Sequence, residues 1–297
     1  MVDVKEIKSL KLTPFTKMSA SIYGILGFIG AIVMLIVLII VQTTGIIPQL
    51  GHFNLITGLG VPLIILIPIG TFFGMIIGSF FSALLYNILV PRLGGVKLEL
   101  EGNEVEKIQV IPFSLILSAI EAIWAFITGL VLAAVLSPLL SFIGAIATMP
   151  EAANITNNIT HVTGTTVSTG AQIGTAGLIL SLVLIIGLPV MVFVFGFIWN
   201  SLLAIFYNYI VSKVAKIQLE FVQITGSLFE LKHIPVLPTA LAVALIFTLL
   251  GLISGILSQN YGEFISNFII YFIETALIAI LYNFLAPKIG TIKLNLE

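Results

Sequence analysis

The chain has no cysteine and very little charge. Without cysteine there is no disulfide framework, no thiolate metal site and no cysteine nucleophile. Charged residues fill only 8% of the 297 positions, where a soluble domain carries about a quarter. So few charges cannot cover a water-facing surface, and lipid is the expected solvent for most of the chain. The three histidines, His52, His161 and His233, fall in separate loops, which argues against a metal site. No glycine-rich phosphate loop and no serine–histidine–aspartate set can be assembled. The expectation is therefore a protein that is not an enzyme and holds no cofactor or metal.

What the chain has in abundance is apolar residues, 59% of the total. They gather into six runs, at 18–41, 61–90, 113–137, 174–211, 237–258 and 264–286. Each is long enough to span a bilayer, which takes about 20 residues. The first run is too long for a signal-peptide core and lacks a small-residue cleavage site, so it is expected to be retained.

The basic residues fix an orientation. Lys5, Lys8, Lys11, Lys17, Arg92, Lys97, Lys107, Lys213, Lys216, Lys232, Lys288 and Lys293 all lie in the N-terminal tail, the 91–112 and 212–236 loops or the C-terminal tail. The loops 42–60, 138–173 and 259–263 contain none. The positive-inside rule then predicts a multi-pass protein of the cell membrane with both termini cytoplasmic.

One motif occurs three times without a gap. It reads Tyr86-Asn87-x8-Val96-x-Leu98-x-Leu100, Tyr207-Asn208-x8-Ile217-x-Leu219-x-Phe221 and Tyr282-Asn283-x8-Ile292-x-Leu294-x-Leu296. Each copy follows an apolar run, so the chain reads as three copies of one membrane unit. The copies also start alike, with Leu10-x-Leu12-x-Pro14, Ile108-x-Val110-x-Pro112 and Ile234-x-Val236-x-Pro238. Period two is the strand signal, and Pro suits the first turn of a following helix. The unit is therefore strand, helix, helix, strand, with boundaries at 1–101, 102–222 and 223–297.

Adjacent units should join through hairpins. Strands 96–101 and 105–111 flank Gly102-Asn103, with Gly first as a type II′ turn prefers. Strands 216–224 and 228–236 flank Thr225-Gly226-Ser227. The terminal runs 7–12 and 291–297 are left over, and pairing them removes two exposed edges. The predicted fold is a polytopic α-helical membrane protein. It has six transmembrane helices in three hairpins, with pseudo-threefold symmetry over a six-stranded cytoplasmic sheet or barrel.

The first unit resembles a family of small two-helix actinobacterial membrane proteins known only as a transmembrane domain of unknown function. The residues that carry the resemblance are Pro14-Phe15-Thr16-Lys17, Tyr86-Asn87 and Gly94-Gly95-Val96-Lys97-Leu98-Glu99-Leu100. The second unit departs from it, with Ser212 in place of Pro91 and Ala215-Lys216 in place of the Gly pair. The resemblance implies that a two-helix relative would build as a trimer what this chain builds in one piece. It implies no activity.

The Tyr-Asn pairs are expected to be structural, with the ring in the acyl region and the hydroxyl wet. Ala83, Ala204 and Ala279, three residues earlier, allow close helix approach. Two acids lie inside spans, Glu121 and Glu274. Mid-membrane acids face protein or water, because exposing one to lipid costs about 2.5–3.5 kcal/mol. At 1.5 Å per residue both lie roughly 12–14 Å from the cytoplasmic helix ends. With Ser79, Asn200 and Thr275 at matching repeat positions they form a candidate intramembrane polar site. It reads either as a proton or cation site or as a hydrogen-bonded element of fold specificity.

The outer side is where the units diverge. The Tyr stands 72 positions after the Pro in the first unit, 95 in the second and 44 in the third. Pro138 is expected to start a short interfacial or re-entrant helix, Pro189 to kink the fourth span, and Pro62 and Pro68 the second. Asn154-Ile155-Thr156 and Asn158-Ile159-Thr160 are glycosylation acceptor patterns on the outer side. Alternating charges at Lys97, Glu99, Glu101, Glu104, Glu106 and Lys107 form a solvated strand face, not a nucleic-acid patch. The partners expected are the lipid bilayer and a cytoplasmic protein at the sheet. Two functions compete: a membrane scaffold or assembly factor with a docking sheet, and a small channel or proton- or cation-coupled transporter using Glu121 and Glu274.

Overall fold

The computed structural model describes residues 2–44, 60–147, 177–260 and 262–297. The glycosylation patterns at Asn154 and Asn158, together with His52 and His161, lie outside the described residues. The elements run β1 (Asp3–Leu10), α1 (Leu12–Thr44), α2 (Val61–Leu93), β2 (Lys97–Glu101), β3 (Glu104–Ile108) and α3 (Val110–Ala147). A π turn (Val183–Gly187) leads into α4 (Leu188–Tyr209), followed by a 3-10 turn (Val211–Lys213). Then come β4 (Glu220–Thr225), β5 (Leu228–His233), α5 (Val236–Ser258), α6 (Glu263–Ile289) and β6 (Ile292–Leu296).

Among the described residues, six helical stretches are long and apolar enough to cross a membrane: Leu12–Thr44, Pro62–Leu93, Val110–Leu140, Gly177–Lys213, Val236–Ser258 and Glu263–Ile289. Their Ile, Leu, Val and Phe side chains are largely exposed. In water that surface would be unstable, whereas in hydrocarbon it has no cost. The most enclosed of the six is α5, where Ala240, Ala242 and Ala244 are fully buried.

The chain divides into two compact units, one of 1–116 with 201–297 and one of 117–200. The larger holds all six strands. They form one antiparallel sheet in the order β3-β2-β1-β6-β5-β4. The terminal strands pair as expected, with Ile7 opposite Leu296 and Leu10 opposite Leu294. The two ends of the order also meet. Val105 N–H donates to Ile217 O (2.9 Å) and Leu219 N–H to Asn103 O (2.8 Å). With the bridge between Glu104 and Gln218, these bonds tie β3 to the chain entering β4 and close the sheet into a barrel. Closure removes the edges that an open sheet would leave unpaired.

Alternation decides what fills the barrel. Leu98, Leu100, Val105, Leu231, Leu294 and Leu296 are buried, while Lys97, Glu99 and Glu101 stand on the other face of β2. Gly102 and Gly226 open the two hairpin turns at φ +63° and +53°. Asn103 and Ser227 keep negative φ, which fits the type II′ class and excludes type I′. The second turn is two residues, Gly226-Ser227, since Thr225 pairs directly with Leu228.

Several local expectations need correction. Leu12, Val110 and Val236 open helices instead of ending strands. Their Pro residues fall in the first turn, where an N–H would lack a helical partner anyway. Pro138 starts no separate helix, because α3 continues through it to Ala147. Pro62 sits at the start of α2, and only Pro68 and Pro91 are interior. The fourth span is interrupted where Gly187-Leu188-Pro189 predicts, as a π turn that ends at Gly187.

Candidate functional site

The residues of the threefold motif form three clamps with the same bonding. The Tyr86 hydroxyl donates to Ile7 O (2.7 Å) and accepts from Val96 N–H (3.0 Å). Tyr207 does the same with Val105 O and Ile217 N–H (3.1 Å). Tyr282 does it with Leu231 O and Ile292 N–H (3.2 Å). The next residue adds a two-point contact. The Asn87 side chain donates to Leu10 O and accepts from Leu10 N–H, both at 2.8 Å. Asn208 grips Ile108 (2.7 and 2.8 Å) and Asn283 grips Ile234 (2.7 and 2.9 Å) in the same way.

These contacts sit where the chain leaves a strand and enters a helix, which is where backbone groups lose their ladder partners. The Tyr rings are not wet interfacial anchors. Tyr207 is 0% exposed and Tyr282 1%, and their hydroxyls are spent on backbone. Ala83, Ala204 and Ala279, one turn earlier, are likewise buried.

A second threefold feature escaped the sequence reading. Glu6, Glu104 and Glu230 each immediately precede the residue whose carbonyl the Tyr takes. Each lies across the ladder from Lys97, Gln218 and Lys293 respectively. Glu6 accepts from Gly95 N–H (2.8 Å) and faces Lys8 (3.1 Å) and Lys97 (3.8 Å). Burial raises its pKa, but those donors and cations outweigh burial and hold the carboxyl below its ordinary value. Glu104 pairs with Lys216 (3.0 Å) and accepts from Gln218 Nε2 (3.1 Å). Glu230 accepts from the Thr291 hydroxyl (2.8 Å). Lys216 also pairs with Glu106, and the hydrogen bonds it donates to Glu106 and Glu104 push its pKa up. The signal was present: a Glu stands four residues before Leu10, Ile108 and Ile234 alike.

The intramembrane residues divide between the two compact units. In the smaller one, Asn200 Nδ2 donates to Glu121 Oε1 (3.2 Å) and Oε2 (3.3 Å). Asn200 is buried and Glu121 is exposed. Gly196 leaves room for the acid, since a Cβ there would lie 2.3 Å from Glu121 Oε2. In the larger unit, the buried Ser79 hydroxyl turns back to Met75 O of its own helix. Glu274 and Thr275 are half-buried on α6, and Glu274 lies within electrostatic range of Tyr23 on α1. So Glu121 and Asn200 are brought together, while Ser79 is occupied locally.

The chain matches no protein-family model, no curated protein and no solved structure. Its residues alone carry the functional argument. Small residues in α1 are explained by packing. Gly24 faces Phe72, and a Cβ on Gly27 would lie 2.2 Å from Thr71 Oγ1. His233 Nδ1 lies 3.7 Å from Glu220.

Proposed function

We propose that this protein is an integral membrane scaffold or assembly factor of the cell membrane. It is built from three repeats, 1–101, 102–222 and 223–297, with the barrel and both termini in the cytoplasm. The observation that carries this reading is the filled barrel. Buried Leu and Val side chains line one face of its strands and cluster with buried residues of the helices, which suits a rigid platform. Most of its outer face is charged, but β4 exposes Val222 and Ile224, each 41% accessible. Exposed apolar side chains on a charged sheet are a natural contact for a cytoplasmic protein.

The test is site-specific photocrosslinking in cells. A crosslinker at 222 or 224 should give one discrete adduct that Val222→Lys with Ile224→Lys removes. A crosslinker at Glu101, on the charged face, should not give it. The absence of any discrete adduct at 222 and 224 counts against a docking sheet.

A second reading rests on the contact between Glu121 and Asn200. A mid-membrane carboxyl with a polar partner suits a proton- or cation-coupled carrier, with Glu274 as a second acid. Proteoliposomes with both acids changed to Gln separate the readings. Proton or cation flux that the change abolishes supports the carrier. Absent or unchanged flux leaves the scaffold.

A further inference from the structure

The three helix ends that follow the Tyr-Asn pairs are not alike. α2 stops at Gly94 (φ +83°) and α6 at Gly290 (φ +95°), and their N–H groups donate to Val90 O and Ala286 O. The corresponding position after α4 is Ala215, which is not at positive φ, although its N–H makes the equivalent bond to Val211 O (2.8 Å). A residue with a Cβ is disfavoured at positive φ. The ending of the other two helices is therefore not reproduced: α4 ends early at Tyr209, and the chain passes through the 3-10 turn Val211–Lys213.

A cavity of about 400 Å³ lies between this turn, β3 and the start of α5. That volume is in the range of small-molecule sites. Its polar wall holds Glu104, Lys213, Lys216 and Gln218, and Val214 and Leu237 stand beside them, both largely exposed. Lys216 is engaged by Glu104 (3.0 Å) and by Glu106. Lys213 is exposed and has no ion pair among the described residues. The Glu104 carboxylate keeps 40% of its side-chain surface accessible, and its two oxygens offer more acceptor positions than Lys216 and Gln218 use. The cavity thus presents one unengaged cation and one partly free carboxylate beside an apolar wall, at the end of two candidate spans.

We infer that this cavity holds the headgroup of a phospholipid carrying both a phosphate and a primary ammonium. The phosphate pairs with Lys213, the ammonium donates to Glu104, and the acyl chains run along Val214 and Leu237. The inference rests on the membrane reading above. The charges of Glu104, Glu106, Lys213 and Lys216 balance, which favours a zwitterionic headgroup over an anionic one. A quaternary ammonium has no N–H to give Glu104, which favours ethanolamine over choline.

The experiment is native mass spectrometry of the full chain, delipidated in detergent. Phosphatidylethanolamine, phosphatidylcholine and phosphatidylglycerol are added separately. Phosphatidylethanolamine should form the first adduct with about tenfold preference over the other two, the scale of one charge-assisted hydrogen bond. Lys213→Glu, on an exposed side chain, should remove that preference. So should the combined Ser212→Pro and Ala215→Gly, which puts the Pro and Gly of the other two helix ends in place of the turn that lines the cavity. Equal adducts with all three lipids, stronger binding of phosphatidylglycerol, or a preference that survives in both variants overturns the inference. Full displacement by equimolar glycerophosphoethanolamine, which lacks acyl chains, overturns the lipid as the source of the headgroup. A chain that stays in the aqueous fraction without detergent defeats the membrane reading itself, whereas a membrane-extracted chain with no headgroup preference defeats only the inference.

Discussion

The Tyr207 hydroxyl donates a hydrogen bond to the carbonyl of Val105, 102 residues earlier in the chain. The same hydroxyl accepts from Ile217 N–H, so one buried side-chain oxygen ties the two strands of a repeat together where they diverge. Tyr207→Phe leaves both backbone groups unsatisfied inside the protein. It should destabilise the fold by about 1–3 kcal/mol, read as a lower thermal midpoint in detergent. Tyr209→Phe, at a 68% exposed position, is the control. Equal midpoints for the two variants would show that the clamp carries no stability.

The asparagine of the clamp should matter as much. Asn283→Leu removes both bonds to Ile234 and puts an apolar group against a peptide unit. A loss of about 2–4 kcal/mol is expected, from two lost bonds with desolvation of the orphaned groups. Hydrogen exchange should report it first at Ile234 N–H. Unchanged protection there would contradict the assignment.

The cap glycines predict a cost that is purely conformational. A Cβ on Gly94 would meet nothing within 4 Å, yet its φ is +83°. Gly94→Ala should cost about 1–2 kcal/mol from backbone strain alone. Val214→Ala, at negative φ, should carry no such strain. Similar losses for both substitutions would argue against the cap.

Glu6 sets a pH dependence. Its carboxyl is held below the ordinary value of 4.5 in the folded state. Its stabilisation is therefore complete above that value and is lost as pH falls through the lower folded-state pKa. The pairing of β1 with β2 should loosen in that acid window. Glu6→Gln should flatten the response, and a wild-type acid profile in the variant would assign it to another group. Lys216 works in the opposite sense. With its pKa raised above 10.5, its contribution is present at neutral pH and lost only in strong base.

Gly196 tests the contact between Glu121 and Asn200. Gly196→Ala places a Cβ against Glu121 Oε2, and the flexible carboxylate moves away. The pair with Asn200 should break at a cost of about 1 kcal/mol. The infrared stretching bands of the Glu121 carboxylate should shift, and unmoved bands would mean that the carboxylate is elsewhere.

Much of the fold was legible because its signals are local. Alternation in Val96-Lys97-Leu98-Glu99-Leu100 marks a strand within five residues, and an apolar run of 20 marks a span by itself. The pairing of β1 with β6 followed from elimination, since two strands were left over. The role of Tyr86, Tyr207 and Tyr282 was not legible, because a tyrosine at the end of a span reads equally well as an interfacial anchor. Only the return of the first strand beneath the helix end supplies its partners. Glu6, Glu104 and Glu230 were overlooked for a related reason. A carboxylate on a solvated strand face looks like surface charge until its partner across the ladder is known.

The sequence by itself determined three copies of the Tyr-Asn motif, six apolar helices and strands at their ends, because each of these depends on neighbours within a few residues. The tertiary structure alone decided that the strands close into a filled barrel, since closure rests on Val105 meeting Ile217 and Asn103 meeting Leu219 across more than a hundred residues. It also decided what the departure at Ala215 means. In the sequence it is a missing glycine, and in the fold it is a helix that stops early beside a charged cavity, because a residue with a Cβ avoids the backbone angle that the other two helix ends take.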